Sequence, residues 1–233
     1  MPGRSRPAFT KPTPPHPSLL MAGLRPGQNK KGPSMKLLVL RCNWRQCKSA
    51  RTLALPADWT LGQLHAALQA AFGWDDSHLF AFTDRDRNTW TEHRGDADFA
   101  DFFAGDQDPD KTKLFEVFRA PKDRLDYEYD FGDSNDVRIV FTKETEGDGP
   151  ACLRATGLMA VEDSAGFGYA DGIAYILKQG PSHRDYEDCV AWLQIFGPNP
   201  VETWIARQTA DREAITARLA ALCAPKPKRK RKF

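Results

Sequence analysis

The chain has 233 residues, of which 33 are Lys or Arg and 31 are Asp or Glu, for a net charge of +2. With 41% hydrophobic and 11% aromatic residues it can bury a core, which excludes disorder of the whole chain. No apolar run approaches the roughly 18 to 20 residues of a membrane-spanning helix, and the apolar stretch at 18–24 is short for a signal peptide, so a cytoplasmic protein without membrane contact is expected.

Residues 1–34 hold eight of the 17 prolines, six basic residues and no acid. Such a stretch cannot repay the entropy of ordering and reads as a disordered Pro-rich basic tail, or as a mis-assigned start with Met35 the true one. A single domain is expected over 35–224. The apolar run at 36–42 and the weaker alternation at 52–56 read as strands joined by a hairpin. Thr60 and Gln63 have capping-box spacing, and Trp59 and Leu64 are placed as a hydrophobic staple around it. Leu61, Leu64, Leu68, Ala71 and Phe72 share a face, which predicts a helix over 61–72 stopped by Gly73.

Residues 78–82 and 88–93 read as short strands around a polar turn. The acidic segment 96–110 reads as loop, anchored by Phe99, Phe102 and Phe103, and 113–118 reads as a strand. In 124–131, Leu125, Tyr127, Tyr129 and Phe131 alternate with Asp126, Glu128 and Asp130. The alternation predicts a strand with an apolar face on the core and three carboxylates on the other side. A five-residue loop at 132–136 then leads into a strand at 137–143.

From Pro150 the pattern turns helical. Tyr169, Ile173, Ile176 and Leu177 share a face that ends at Gly180 and Pro181. Ser182 is placed to cap a second helix with Tyr186, Cys189, Val190 and Leu193. Asn199, Pro200 and Glu202 open a last helix running through Trp204, Ile205, Ile215, Leu219 and Leu222. Residues 225–233 carry six cations and no acid and read as a second disordered basic tail. The expected fold class is α+β: a mixed, mainly antiparallel sheet built from a hairpin, a helix and further strands, followed by a helical C-terminal part.

Between the tails the charge reverses, with 21 basic and 31 acidic residues over 35–224 and a net of −10. The five cysteines, Cys42, Cys47, Cys152, Cys189 and Cys223, are odd in number and scattered, unlike those of a disulfide-stapled secreted domain. Cys42 and Cys47 lack a second pair at zinc-ligand spacing and read as thiols.

Four stretches in order carry a resemblance: 64–74 with His65, Phe72, Gly73 and Trp74; 78–82 with His78; Tyr127, Tyr129, Asp130, Phe131, Gly132 and Asp133; and Glu162 and Asp163 followed by Gly166, Gly168 and Tyr169. Together they resemble the plasmid pRiA4b ORF-3-like family, whose members are often labelled insertion-element passenger or TnpR-like proteins. The resemblance covers about 35–205. It implies a compact α+β domain tied to mobile DNA, with no enzymatic activity to carry over. The chain departs from the family pattern at Asn135 and Val137 in place of Trp and His. It departs again at Ala160 and Val161 in place of a Cys-Pro-Pro or Pro-Pro run, at Phe80 in place of a second His, and at Ala165 in place of Gly.

The binding candidates from these motifs are His65, Trp74, His78, Tyr127, Tyr129, Asp130, Asp133, Glu162, Asp163 and Tyr169. Hard cations take clustered oxygens, which makes Asp130, Asp133, Glu162 and Asp163 the candidate metal ligands, with Asp126, Glu128 and Asp136 close in sequence. The competing reading is a solvated strand face and a turn whose carboxylates cap backbone amides. No cofactor is assigned. A TnpR-like serine recombinase would need an activated serine among arginines, but Ser49, near Arg41, Arg45 and Arg51, lies in a hairpin turn, so DNA cleavage is not expected. Lys226, Lys228, Arg229, Lys230, Arg231 and Lys232 suit salt-sensitive contact with nucleic acid, or fold back on the acidic body. The expected function is that of a non-enzymatic binding or accessory protein with loose nucleic-acid contact through its tails. The alternatives are a metal-dependent hydrolase or nuclease that uses the carboxylates, and an acidic adaptor that occupies a basic protein partner.

Overall fold

The computed structural model describes residues 34–91, 106–208 and 210–224. Both basic tails, apart from Ser34, lie outside the described residues, as do Phe99, Phe102 and Phe103. The fold is α+β. Strand β1 (Met35–Trp44) pairs antiparallel with β2 (Ala50–Pro56), Leu40 opposite Leu53. Helix α1 (Leu61–Phe72) starts as its sequence requires: the Thr60 hydroxyl accepts the Gln63 amide and the Gln63 side chain accepts the Thr60 amide. Such a cap is worth about 1 kcal/mol. The helix stops at Gly73, whose φ of 99° is left-handed; a β-carbon there would stand 2.8 Å from the Met159 methyl.

Strands β3 (Phe80–Thr83), β4 (Thr89–Thr91), β5 (Arg124–Tyr129), β6 (Asn135–Gly147) and β7 (Ala151–Thr156) complete a seven-stranded sheet of order β4-β3-β5-β6-β1-β2-β7. All its neighbours are antiparallel. Period-2 alternation puts Leu125, Tyr127 and Tyr129 of β5 and Val137, Ile139 and Phe141 of β6 on one face, where they share a core with Leu64, Leu68 and Phe72 of α1. On β5 and β6 the opposite face carries Asp126 between Arg124 and Arg138, 3.6 and 3.0 Å away. For Asp126 the solvated strand-face reading therefore holds.

The remaining helices are α2 (Leu114–Val117), α3 (Tyr169–Gln179), α4 (Tyr186–Trp192), α5 (Pro200–Arg207) and α6 (Arg212–Ala221). Helix α6 returns to pack on β7 and α1, burying Ile215 and Leu219. Ile173, Ile176, Cys189, Leu193 and Trp204 form a second apolar cluster.

Several local expectations are corrected. Residues 113–118 form one helical turn, because Glu116 caps the Lys113 amide while the amides of Leu114 and Phe115 bond the Trp59 and Ala57 carbonyls. The chain does not turn helical at Pro150: Ala151–Thr156 supplies the edge strand beside β2. The last helix is two, since Asp211 accepts the Glu213 and Ala214 amides and starts α6 afresh. Ser182 lies in a 3₁₀ turn and caps nothing. Strand β5 ends at Tyr129, so Asp130 leaves the outer face and Phe131 is exposed.

Arg51 of β2 is fully buried without a carboxylate partner among the described residues. Its guanidinium donates to the carbonyls of Ala71, Ala50, Thr156 and Leu158 and lies 4.8 Å above the Phe72 ring. The Ala71 carbonyl belongs to the negative end of the α1 dipole, which suits a cation. Burial still pulls the Arg51 pKa down to about 10. Arg51 thus ties the end of α1 to the loop after β7, the two segments that carry the site.

Candidate functional site

Antiparallel pairing of β3 with β5 sets Phe80 opposite Tyr129, and β6 sets Asn135 opposite Tyr129. The segment before β3, the turn after β5 and the loop leading into α3 therefore meet at one end of the sheet. There the His78 ring has Asp130 Oδ1 3.7 Å from Nδ1, Asp163 Oδ1 3.4 Å from Nε2 and Glu162 Oε2 3.9 Å from Nε2. One ligand atom each from His78, Asp130 and Asp163 lies within 4.8 Å of the others, and among the described residues this is the only such group. These separations are long for hydrogen bonds and leave room for one cation among the donors.

The backbone around this point is strained. Of seven non-glycine residues with positive φ among the described residues, five flank it: Asp76 at 62°, Asp130 at 59°, Ser134 at 53°, Asp163 at 53° and Tyr169 at 59°. Asp tolerates the left-handed region better than most residues, but Tyr does not, and such strain gathers at functional sites. Asp130 is held by its own turn: Oδ1 accepts the Gly132 and Asp133 amides at 3.1 and 3.4 Å, and its carbonyl accepts the Ser134 amide.

Glu162 is fixed by its other oxygen. Oε1 accepts the Asp75 amide at 2.7 Å and the Tyr129 hydroxyl at 3.1 Å, and the Tyr129 oxygen in turn accepts the amides of Ser77 and His78. Burial raises the Tyr129 pKa, so its proton stays in place for Glu162. Oε2 is buried without a hydrogen-bond partner. Desolvation, opposed by the Asp75 amide, lifts the Glu162 carboxyl to about 7.

The other sequence candidates fall in three places. Asp133 falls outside the His78 group: Oδ2 accepts the Ala165 amide at 2.9 Å and its carbonyl accepts the Tyr169 hydroxyl at 2.6 Å, so both residues lock the loops together. His65 stands apart, stacked on Phe80 with ring centroids 3.7 Å apart, its nitrogens 2.9 Å from the Tyr127 hydroxyl and 2.8 Å from Asp76 Oδ1. Gln69 donates to the Tyr127 oxygen, so that hydroxyl donates to Nδ1 and Nε2–H faces Asp76. Trp74 packs with its ring centroid 5.3 Å from those of both Tyr129 and Trp44. The basic-tail candidates lie outside the described residues. Cys42 and Cys47 are buried free thiols, pushed up by burial to about 12 and about 11.

Sequence reasoning missed Asp75, Ser77, Gln69 and Arg51. One signal was available: His65 and Gln69 are polar residues four apart on the buried face of α1, which marks a buried hydrogen-bond network. The departures at Phe80 and Val137 are core positions, 2% and 1% exposed, and neither lies in the His78 group.

Fold and site define an antiparallel α+β domain with a mixed histidine and carboxylate cluster at one end of its sheet. The chain belongs to the plasmid pRiA4b ORF-3-like protein family, whose pattern matches residues 41–203. An uncharacterized protein of Sinorhizobium fredii is 31% identical over 152 residues, covering 61% of this chain and 72% of that one. The crystal structure of a protein of unknown function from Methanosarcina mazei Go1 is similar in fold, with a TM-score of 0.58 and 23% identity over 76% of this chain and 96% of that one. No helix among the described residues is long and apolar enough to cross a membrane.

Proposed function

We propose that the chain is a binding protein whose site takes one divalent cation on His78, Asp130 and Asp163, with Glu162 Oε2 as a fourth donor. The observation that carries this reading is the convergence of donor atoms from three separate segments, within 4.8 Å of one another, at strained positions. An imidazole with carboxylates suits a borderline ion such as Zn²⁺ or Mn²⁺ better than Ca²⁺, which prefers oxygen alone. Asp163 is 70% exposed, which leaves a side open to an oxygen-bearing ligand.

Metal-assisted hydrolysis is the second reading, and one observation favours it. Glu162, held through Oε1 with Oε2 unbonded beside the cation position, is placed for proton transfer. The test is metal content of protein purified without chelator, then calorimetric titration with Zn²⁺ and Mn²⁺ of the wild type, Asp130→Asn and Asp163→Asn. Asn keeps the left-handed backbone while removing the charge, so each variant should fold and bind about tenfold or more weakly. A wild type that binds neither ion at millimolar concentration refutes the cation, and an inert metal-loaded protein on ester and phosphoester substrates refutes hydrolysis. Association with mobile DNA through the basic tails is a separate proposal, supported by their composition.

A further inference from the structure

Beside the cation position, and sharing Glu162 with it, lies a cleft of about 500 Å³ between the end of α1, the loop after β7, and α5 and α6. Its volume is that of a small-molecule site. Five buried side-chain polar atoms among the described residues lack a hydrogen-bond partner, and three belong to residues that line this cleft: Trp74 Nε1, Glu162 Oε2 and Gln208 Oε1. Trp74 is only 6% exposed, so its orphaned donor is deep. Native structures leave few such atoms unsatisfied, and a ligand is one explanation for a group of them.

The charges lining the cleft indicate what that ligand is. Arg207 and Arg218 both line it, and neither has a carboxylate partner among the described residues. Arg218 uses Nε to hold the Ala70 carbonyl at 2.9 Å, and Arg207 is steadied over the Phe196 ring at 4.8 Å. Two oriented guanidinium groups with an indole N–H recognise a carboxylate. The two orphaned acceptors ask for a donor on the same molecule. Met159, Val161, Phe196 and the 65% exposed Ile195 offer apolar surface for its body.

We propose that this cleft binds a small organic acid with an apolar body and a hydroxyl next to its carboxylate. The inference needs no cation, so it is tested in chelator, where failure of the cation reading leaves it untouched. Full-length protein is titrated with 3-phenyllactate, with 3-phenylpropionate, which lacks the hydroxyl, with 2-phenylethanol, which lacks the carboxylate, and with inorganic phosphate, by calorimetry and tryptophan fluorescence. Phenyllactate should bind tightest, and each truncated probe about tenfold or more weakly, since a site built for a polar group rejects its absence. Arg207→Gln and Arg218→Gln change exposed residues, so they should fold, confirmed by unchanged melting, and each should weaken phenyllactate about fivefold or more. Three results would overturn the proposal: no phenyllactate binding at millimolar concentration, binding indifferent to both arginines, or phosphate binding as tightly as phenyllactate with the same arginine dependence.

Discussion

Replacing Glu162 with Gln should favour the metal-free variant over the wild type more at pH 8 than at pH 5. Burial raises the carboxyl from 4.5 to about 7. Between those values the folded protein holds a proton that the unfolded chain has released, so stability falls as pH rises through that window, and the loss is complete above it. A shift of this size corresponds to about 3 kcal/mol. Water at the cleft mouth relaxes the charge and trims the realised cost to roughly 1.5 kcal/mol. Gln keeps the Oε1 acceptor for the Asp75 amide and the Tyr129 hydroxyl but places an N–H₂ where Oε2 has no partner. That new orphan penalises the variant equally at both pH values, so it cancels in the comparison.

The assay is urea unfolding of wild type and variant in chelator at pH 5 and pH 8. The difference in unfolding free energy, variant minus wild type, should rise by about 1.5 kcal/mol between the two pH values. A difference that stays constant, or moves the other way, refutes the claim that Glu162 ionises at a cost. A bound cation favours the ionised form, so Zn²⁺ or Mn²⁺ at a hundred times its dissociation constant should return about 2.7 kcal/mol to the wild type at pH 8. Little of this should appear in the variant.

Three further changes test the frame and the tails. Arg51→Ala removes the donor from the carbonyls of Ala71, Thr156 and Leu158 and should cost about 3 kcal/mol or more in urea unfolding; Arg51→Lys should recover only part, because an ammonium cannot span these acceptors. A lysine variant as stable as the wild type would contradict this account of the buried guanidinium. Gly157 has φ 77° and a β-carbon there would meet the Lys48 carbonyl oxygen at 2.4 Å, so Gly157→Ala should lower stability by about 2–3 kcal/mol, visible as a drop in the thermal midpoint. Deleting 225–233 should abolish filter binding of duplex DNA, which in the intact chain should weaken with salt at a log–log slope of about −5 for six cations; binding that survives the deletion removes the tail from the proposal.

Elements whose cause is local could be read from the chain. Helix α1 was visible because Thr60, Gln63 and Gly73 write its ends and the leucines its face. Strand β5 was visible from its alternation up to Tyr129. Strand β7 was not, because Ala151–Thr156 has no alternation of its own and is strand only by pairing with β2. Residues 113–118 misread for the opposite reason: an apolar run with β-type spacing is held as a helical turn by amides that bond Trp59 and Ala57, more than fifty positions earlier. The candidate site shows the same division. His78, Asp130, Glu162 and Asp163 could each be named from motif and composition, but their meeting depends on strand register. Asp133 looked like their equal in sequence but lies outside the group, its carboxylate turned to the Ala165 amide.

The strained positions also separate a structural role from a functional one. A turn that needs positive φ is most cheaply filled by glycine, and by asparagine where a side-chain cap is wanted. The chain uses glycine in this way at Gly73, Gly157 and Gly168. At 130 and 163 it places aspartate instead, within 3.7 and 3.4 Å of one imidazole, while the neighbouring Glu162 holds a buried oxygen that bonds to nothing. For Asp130 the turn alone would explain one oxygen, through the Gly132 amide; for Asp163 no backbone bond of that kind among the described residues accounts for the carboxylate. Two left-handed carboxylates and an orphaned third cost stability at the one point where three segments meet. The turn leaves the Asp163 charge unexplained, and the proposed cation would account for it.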